Sequence, residues 1–252
     1  MGRPSGRPYL KEGLSFLTSK PSLRVLDDPE RLLYIREDGD YADFRSRSVE
    51  KEPWTYEWLK NLHAGDVLYD IGANVGSYSL MAAVRGALVY AFEPLPMNYA
   101  ELVANVQINN LGKKIYCYPI AATSNSPNVS WIPFSVHNLN RPGYGLASAE
   151  KQYEEAKDVY LPSAALDTLS VTAFKPPTHV KIDVEGFEFH VLDGMQVLLG
   201  TEKVKSLIVE VANDRTEIQV EKLMERHGYY GEEVEGSRGS GDNRTLIYEQ
   251  ES

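Results

Sequence analysis

The chain has a single cysteine, Cys117, in 252 residues. That excludes an internal disulfide and any multi-cysteine metal site. Its setting in an apolar run reads as a core position rather than a nucleophile. Long hydrophobic runs are also missing. No apolar stretch approaches the roughly 20 residues of a membrane span, and Met1–Lys20 lacks the apolar core of a signal peptide, so a cytoplasmic location is expected. Basic residues are in the minority, 26 Lys and Arg against 36 Asp and Glu, for a formal net charge of −10. They are scattered, so no nucleic-acid partner is expected, because neutralising phosphates needs a basic face. Internal repeats and low-complexity tracts are absent as well. The length suits one full-size α/β domain over 51–252, preceded by an N-terminal extension over 1–50.

Residues 67–78, Val-Leu-Tyr-Asp-Ile-Gly-Ala-Asn-Val-Gly-Ser-Tyr, are the most informative stretch. An apolar run ending at Ile71 meets Gly72 and Gly76, and an apolar-periodic segment follows from Tyr78. This is a strand, a tight turn and a helix, an arrangement that presents free helix N–H groups to a ligand. Asp70 puts a carboxylate on the end of an otherwise buried strand. It would repel a pyrophosphate and attract an ammonium group. An amino-acid-bearing nucleotide such as S-adenosylmethionine (SAM) fits. The Gly-x-x-x-Gly spacing lacks the middle glycine of Gly-x-Gly-x-x-Gly, which weighs against the alternative of a nicotinamide-dependent oxidoreductase. The next strand, Ala87–Phe92, ends at Glu93, an acid placed to accept hydrogen bonds from ribose hydroxyls. A glycine turn alone is often just part of an α/β fold. Two carboxylates at adjacent strand tips point to a cofactor.

The rest of the chain organises around this unit. Residues 1–20 carry no periodicity, and two apolar patches between Leu23 and Phe44 read as a small hairpin or add-on. Pro53 opens a helix with Trp54, Trp58 and Leu62 on one face, expected to lie over the cofactor end of the sheet. Strands at 67–71, 87–92, 114–120, 179–183 and 205–211 alternate with helices near 77–85, 96–111, 187–199 and 215–227, the pattern of a parallel sheet buried on both faces. Tyr229–Val234 and Arg244–Glu249 are joined by a short polar link, so one terminal strand must run antiparallel. Residues 121–170 break the rhythm, with an insertion at about 130–165. Its stretch from His137 to Lys157 is expected to form part of the acceptor site and to be mobile without ligand.

A second motif is His179-Val-Lys-Ile-Asp-Val-Glu-Gly-Phe-Glu188. Asp183 ends a strand, with Glu185 and Glu188 close behind, and should face the same crevice as Asp70 and Glu93. Three acids at three strand tips suit a cationic cofactor and a hydroxyl-bearing acceptor. Glu188 is equally suited to supporting the following helix. His179 and His190 read as structural.

Asp70-Ile-Gly-Ala-Asn-Val-Gly-Ser-Tyr-Ser, Phe92-Glu-Pro with Asn98 and Asn105, Leu166-Asp-Thr-Leu and Lys181-Ile-Asp-Val-Glu-Gly-Phe-Glu188 together resemble the FkbM family of SAM-dependent methyltransferases. The likeness runs from about Trp54 to Val211. It implies an α/β fold of the class I methyltransferase type, a Rossmann-like doubly wound sheet of seven strands with one antiparallel. It also implies O-methylation of a hydroxyl on a sugar, glycoside or other natural product. Carried over by position, Asp70, Gly72, Ala73, Asn74, Gly76 and Tyr78 would line the methionine end of SAM. Glu93 would bind the ribose, Pro94 to Asn98 with Ala121 and Ala122 would flank the adenine, and Asp183 would face the methyl group. Asn140, Tyr144, Glu185 and Glu210 are acceptor candidates.

A sugar hydroxyl is a poor nucleophile, so a base or a metal should assist. Asp183 is the leading candidate for either, and His137 is a second base. Asp183, Glu210 and Asn213 resemble the Mg²⁺ site of catechol-type O-methyltransferases, although a cap of the helix from Arg215 is the favoured reading of Asn213-Asp214. A non-catalytic SAM-binding protein is the remaining alternative.

Overall fold

The computed structural model describes residues 22–36, 42–124, 128–136, 157–170, 174–184, 186–237 and 243–250. In chain order, a hairpin of β1 (Leu23–Val25) and β2 (Tyr34–Arg36) leads to three short helices. These are α1 (Ala42–Ser46), α2 (Ser48–Lys51) and α3 (Pro53–Leu59). The α/β unit begins with β3 (Val67–Ile71), α4 (Ser77–Val84), β4 (Leu88–Phe92), α5 (Pro96–Ile108) and β5 (Ile115–Tyr118). Next come β6 (Ala121–Ala122), β7 (Ser130–Val136), β8 (Lys157–Ala164) and α6 (Leu166–Ser170). The chain continues with β9 (His179–Ile182), α7 (Glu188–Asp193), α8 (Gln196–Leu199), β10 (Ser206–Val211), α9 (Asp214–Arg226), β11 (Tyr229–Glu233) and β12 (Arg244–Gln250). No helix among the described residues is long and apolar enough to cross a membrane.

Seven strands form the main sheet in the order β11-β12-β10-β9-β3-β4-β5. As expected, one strand, β12, runs antiparallel to its neighbours β10 and β11, and the other pairings are parallel. The chain builds outward from β3 through β4 to β5, then returns to the other side of β3 with β9. That reversal opens a crevice at the carboxyl ends of β3 and β9. All five residues of β3 are buried, because helices cover both faces. One face packs Tyr69, Phe92 and Val180 with Val191, Leu198 and Leu223, and the other packs Leu68, Val89 and Ile208 with Leu59, Leu80 and Leu102. Each such side chain contributes about 1.5–3 kcal/mol on burial.

Two expectations are corrected. The helix foreseen at 187–199 is broken into α7 and α8 around Gly194. A Cβ there would lie 1.9 Å from the carbonyl oxygen of Thr123, so the chain passes too closely for any other residue. The second half restarts on Asp167, whose carboxylate accepts from the amides of Val197 and Leu198 at 2.9 and 3.0 Å. The acid of Leu166-Asp-Thr-Leu is therefore a helix cap. The helix from Pro53 does not sit only at the crevice. Trp58 donates its indole N–H to Ser206 Oγ at 2.8 Å, at the amino end of β10, so α3 crosses to the opposite end of the sheet. Residues 121–170, which break the strand–helix rhythm as expected, contribute a second sheet, β6-β8-β7. The stretch 137–156 between β7 and β8 lies outside the described residues.

The described part of the N-terminal extension is tied in by side chains. Asn105 accepts from the Arg36 amide and donates to the Val75 carbonyl, both at 2.9 Å, so one carboxamide links β2 to the glycine loop. Asp27 caps α2 through the amides of Val49 and Glu50. Asp28, buried, holds Arg85 at 2.8 Å and accepts from the amides of Glu30 and Arg31. Replacing Asp28 with Ala leaves the buried Arg85 guanidinium with only the exposed Glu30 carboxylate, 3.3 Å away, as its ionic partner. We expect a loss of about 3 kcal/mol in urea unfolding; a loss under about 0.5 kcal/mol would show that the ion pair does not anchor this segment.

Candidate active site

At the carboxyl ends of β3, β4, β9 and β10 the strand-tip residues surround a cavity of about 180 Å³. Gly72, Asn74, Glu93, Pro94, Leu95, Asn98, Asp183, Val184 and Glu210 line it from the sheet side, and Phe44, Arg45, Lys51 and Glu52 close it from the N-terminal helices. A smaller apolar slot adjoins it through Gly72, Pro94 and Val184, lined further by Ile71, Phe92, Ile120, Ala121, Ala122 and Phe187.

The glycine loop is held by the next strand. The amides of Gly72 and Ala73 both donate to the Phe92 carbonyl, and the Asn74 amide donates to Glu93 Oε2 at 2.8 Å. Glu93 Oε1 accepts from the Leu95 amide at 2.9 Å and from Asn98 Nδ2 at 3.5 Å. Burial nevertheless pushes the Glu93 carboxyl up to about 7. Gly72 has φ +81°, and a Cβ on it would lie 1.9 Å from the Asp183 carbonyl oxygen. That close approach is what lets the tips of β3 and β9 share one crevice.

Charge is concentrated on β9 and β10. Lys181, fully buried, stands opposite Asp70 in the β3–β9 register and 4.0 Å from its carboxylate. It also lies 3.1 Å from Asp183 Oδ2. Burial works to lower the lysine, but Asp183 and Asp70 outweigh it and hold the ammonium above its ordinary value. In turn, burial works to raise Asp183, but Lys181 wins and keeps that carboxyl below the usual range. The β9–β10 register ends at Ile182 and Val209, so Asp183 and Glu210 follow as neighbours on adjacent strands. The Asp183 charge, reinforced by burial, pushes Glu210 up to about 8. Asn243 donates to Glu210 Oε1 at 3.1 Å.

The fold and the cavity now meet the comparisons with known proteins. A family model described as the methyltransferase FkbM domain matches residues 70–230, more than half of the chain. The chain belongs to the FkbM methyltransferase family. Hexuronic acid methyltransferase AglP of Haloferax volcanii is 27% identical over 154 residues, 61% of this chain and 59% of the relative. A tRNA (guanine(37)-N(1))-methyltransferase of Anopheles darlingi is 39% identical over 98 residues, 37% of this chain and 20% of the relative. The chain thus spans less than two thirds of the length of either relative. The crystal structure of methyltransferase FkbM from Methylobacillus flagellatus KT superposes with a TM-score of 0.50 at 13% identity, covering 84% of this chain and 63% of that one, which shows the shared fold.

Within this FkbM fold the residues singled out from the sequence fall into groups. Gly72, Asn74, Glu93, Pro94, Asn98, Asp183 and Glu210 line the cavity, and Ala121 and Ala122 line the slot. Asp70, Ala73, Gly76 and Tyr78 sit behind the cavity wall. Asp70 Oδ2 accepts from Ser79 Oγ at 2.6 Å while its Oδ1 has no hydrogen-bond partner. The Tyr78 ring lies under Lys181 and its hydroxyl donates to the Ser48 carbonyl. His137, Asn140, Tyr144 and Glu185 lie outside the described residues. Glu188 is buried and accepts from the Gly186 amide at 2.7 Å, which supports the turn. His179 and His190 bond Thr178 and Ser124.

Of the metal candidates, Asp183 and Glu210 line the cavity together, and Asn213 is engaged at a helix start. Asn213 Oδ1 accepts from the Thr216 amide at 3.0 Å as the cap of α9. Among the described residues no group of three His, Cys, Asp or Glu side chains could hold a metal ion. Cys117 is partly buried and its thiol is pushed up to about 11, which leaves little thiolate. Phe44, Arg45, Lys51 and Glu52 escaped the sequence reading. In a stretch of alternating charges they look like a solvated helix face, and only the fold turns them inward.

The raised Glu210 carboxyl makes a pH prediction. A carboxyl raised on folding contributes stability that is present below about pH 4.5 and lost as pH rises through about 8. Glu210→Gln keeps the oxygen that Asn243 bonds and has no charge to bury. Its melting temperature should match the wild type near pH 4 and exceed it near pH 9. Equal melting curves at pH 9 would show that Glu210 is not strained by its surroundings.

Proposed function

We propose that the protein is a SAM-dependent O-methyltransferase acting on a hydroxyl of a sugar, glycoside or similar acceptor. One observation carries the reading: an apolar slot flanked by Gly72 and Pro94 opens into a cavity that holds both Glu93 and the Asp183–Glu210 pair. The donor set suits a nucleoside with an amino-acid arm. The slot has the apolar lining an adenine needs, and Glu93 has a carboxylate for ribose hydroxyls. A buried acceptor atom with no hydrogen-bond partner on the cavity wall, Asn74 Oδ1, provides a place for a donor. The hexuronic acid methyltransferase supports a sugar acceptor by its name. The likeness to a tRNA methyltransferase is confined to 20% of that relative, and a net charge of −10 opposes a polyanionic substrate.

When bound, SAM supplies an electrophilic methyl group. The chain's part is to hold the acceptor oxygen and take its proton. Glu210, at about 8, can receive a proton near neutral pH, and Asp183, held ionised by Lys181, cannot. This moves the base from Asp183 to Glu210 and leaves Asp183 as the charge that raises it. Lys181 in turn fixes Asp183 in place.

Two measurements check the reading. Calorimetric titration should show S-adenosylhomocysteine binding, weakened about tenfold or more by Glu93→Ala; no binding to the wild type would refute the cofactor assignment. Once a sugar panel screened by mass spectrometry yields an acceptor, Asp183→Asn removes the largest push on Glu210. The acid limb of its kcat/KM profile should shift to lower pH, and an unmoved limb would remove Glu210 as the base.

A further inference from the structure

The N-terminal helices bring into the cavity a cation that the chemistry above does not use. Lys51, the last residue of α2, lines the cavity together with Glu52, Asp183 and Glu210. Its Nζ lies 3.5 Å from the centroid of the Phe44 ring, another lining residue. Among the described residues no carboxylate forms a salt bridge with it. Arg45 on α1, Glu52, Asp183 just past β9 and Glu210 on β10 act on it only through space. Burial outweighs the three carboxylates and lowers the ammonium to about 8.

An ammonium drawn out of water without a contact partner is costly, and a ring face replaces only part of the lost hydration. Lys51 could instead have pointed to solvent, as lysines on short surface helices generally do. Its place on the cavity wall, with ring below and open space beside it, leaves a contact to be made by a ligand. Resting on the cofactor reading above, we propose that Lys51 recognises a carboxylate of a ligand bound in this cavity. The ring of acids around it favours one carboxylate over a phosphate, since a dianion would face Glu52, Asp183 and Glu210 together. Two ligands can bring that group: the methionine half of SAM, or an acidic acceptor such as a uronate.

Titration calorimetry of the wild type, Lys51→Gln and Lys51→Arg separates these sources. The probes are S-adenosylhomocysteine, its decarboxylated analogue, and glucuronate against glucose with protein loaded with S-adenosylhomocysteine. We expect Lys51→Gln to lose about tenfold on one carboxylate probe, to stay within about twofold on the matching carboxylate-free probe, and to be largely restored by arginine. Loss on S-adenosylhomocysteine assigns the carboxylate to the cofactor, and loss on glucuronate assigns it to the acceptor. If Lys51 only offsets the neighbouring acids, its removal instead tightens the cationic decarboxylated analogue and leaves the zwitterion unchanged, which overturns the proposal. Unchanged affinity for both carboxylate probes overturns it as well. A wild type that fails to bind S-adenosylhomocysteine sinks the cofactor reading itself, and this proposal with it.

Discussion

Lys181 is a buried cation in the middle of a parallel sheet, and it is tolerable there only because two carboxylates flank it. Asp70 faces it across the β3–β9 pairing and Asp183 lies two residues further along its own strand. Lys181 and Asp183 hold each other charged, while burial still raises the Asp70 carboxyl above its ordinary value. The cost of leaving one of them unpaired fixes the relative position of β3 and β9, the strands between which the sheet order reverses. The same ions set the chemistry next door. Asp183 is kept ionised, and the ionised Asp183 raises Glu210 on the following strand. A structural ion cluster thus doubles as the control over which carboxyl in the cavity can hold a proton.

The glycine loop shows the same economy of parts. Glu93 lines the cavity, and its two oxygens clasp the Asn74 and Leu95 amides. Oε2, which accepts from the Asn74 amide, has a second lone pair, so holding the loop and accepting from a ligand are compatible. Asn105 extends the arrangement outward, linking the loop at Val75 to β2. The N-terminal hairpin and helices are therefore continuous with the cofactor end of the sheet. Phe44, Arg45, Lys51 and Glu52 form a wall of the cavity, where a separate appendage would have left it open.

Membership of the FkbM family rests on the match over 70–230, and the shared fold is that of a protein with which this chain is 13% identical. Such distant likeness leaves the acceptor to be read from local features. In this chain those features are the carboxylates of Glu52, Glu93, Asp183 and Glu210, a lysine on a phenylalanine ring and an adjoining apolar slot. Methyl transfer from a sulfonium to a hydroxyl converts a cation into a neutral product and releases a proton. An acid-rich cavity suits the cation at the start, and a carboxyl with a raised pKa suits the proton at the end.

The strands, their burial and the antiparallel final pair were legible in the sequence, because apolar runs of strand length and a short polar link leave few alternatives. So was the place of Glu93 and Asp183 on the crevice, since a carboxylate that ends a buried strand stands out, whereas Asp70, expected to face the same crevice, is buried against Ser79 and Lys181. The break at Gly194 was not legible, because what forbids a side chain there is the carbonyl of Thr123, distant in the chain. Nor was the role of Asp167, whose partners are the amides of a helix it precedes by a whole strand. Lys51 and Glu52 sit in a pattern that reads as solvent-facing. Which carboxyl is strained, and which lysine lies against a ring in a cavity, are properties of distances between strands and helices. Local sequence determines what each segment can become, and packing between segments decides the electrostatic environment that each charge occupies.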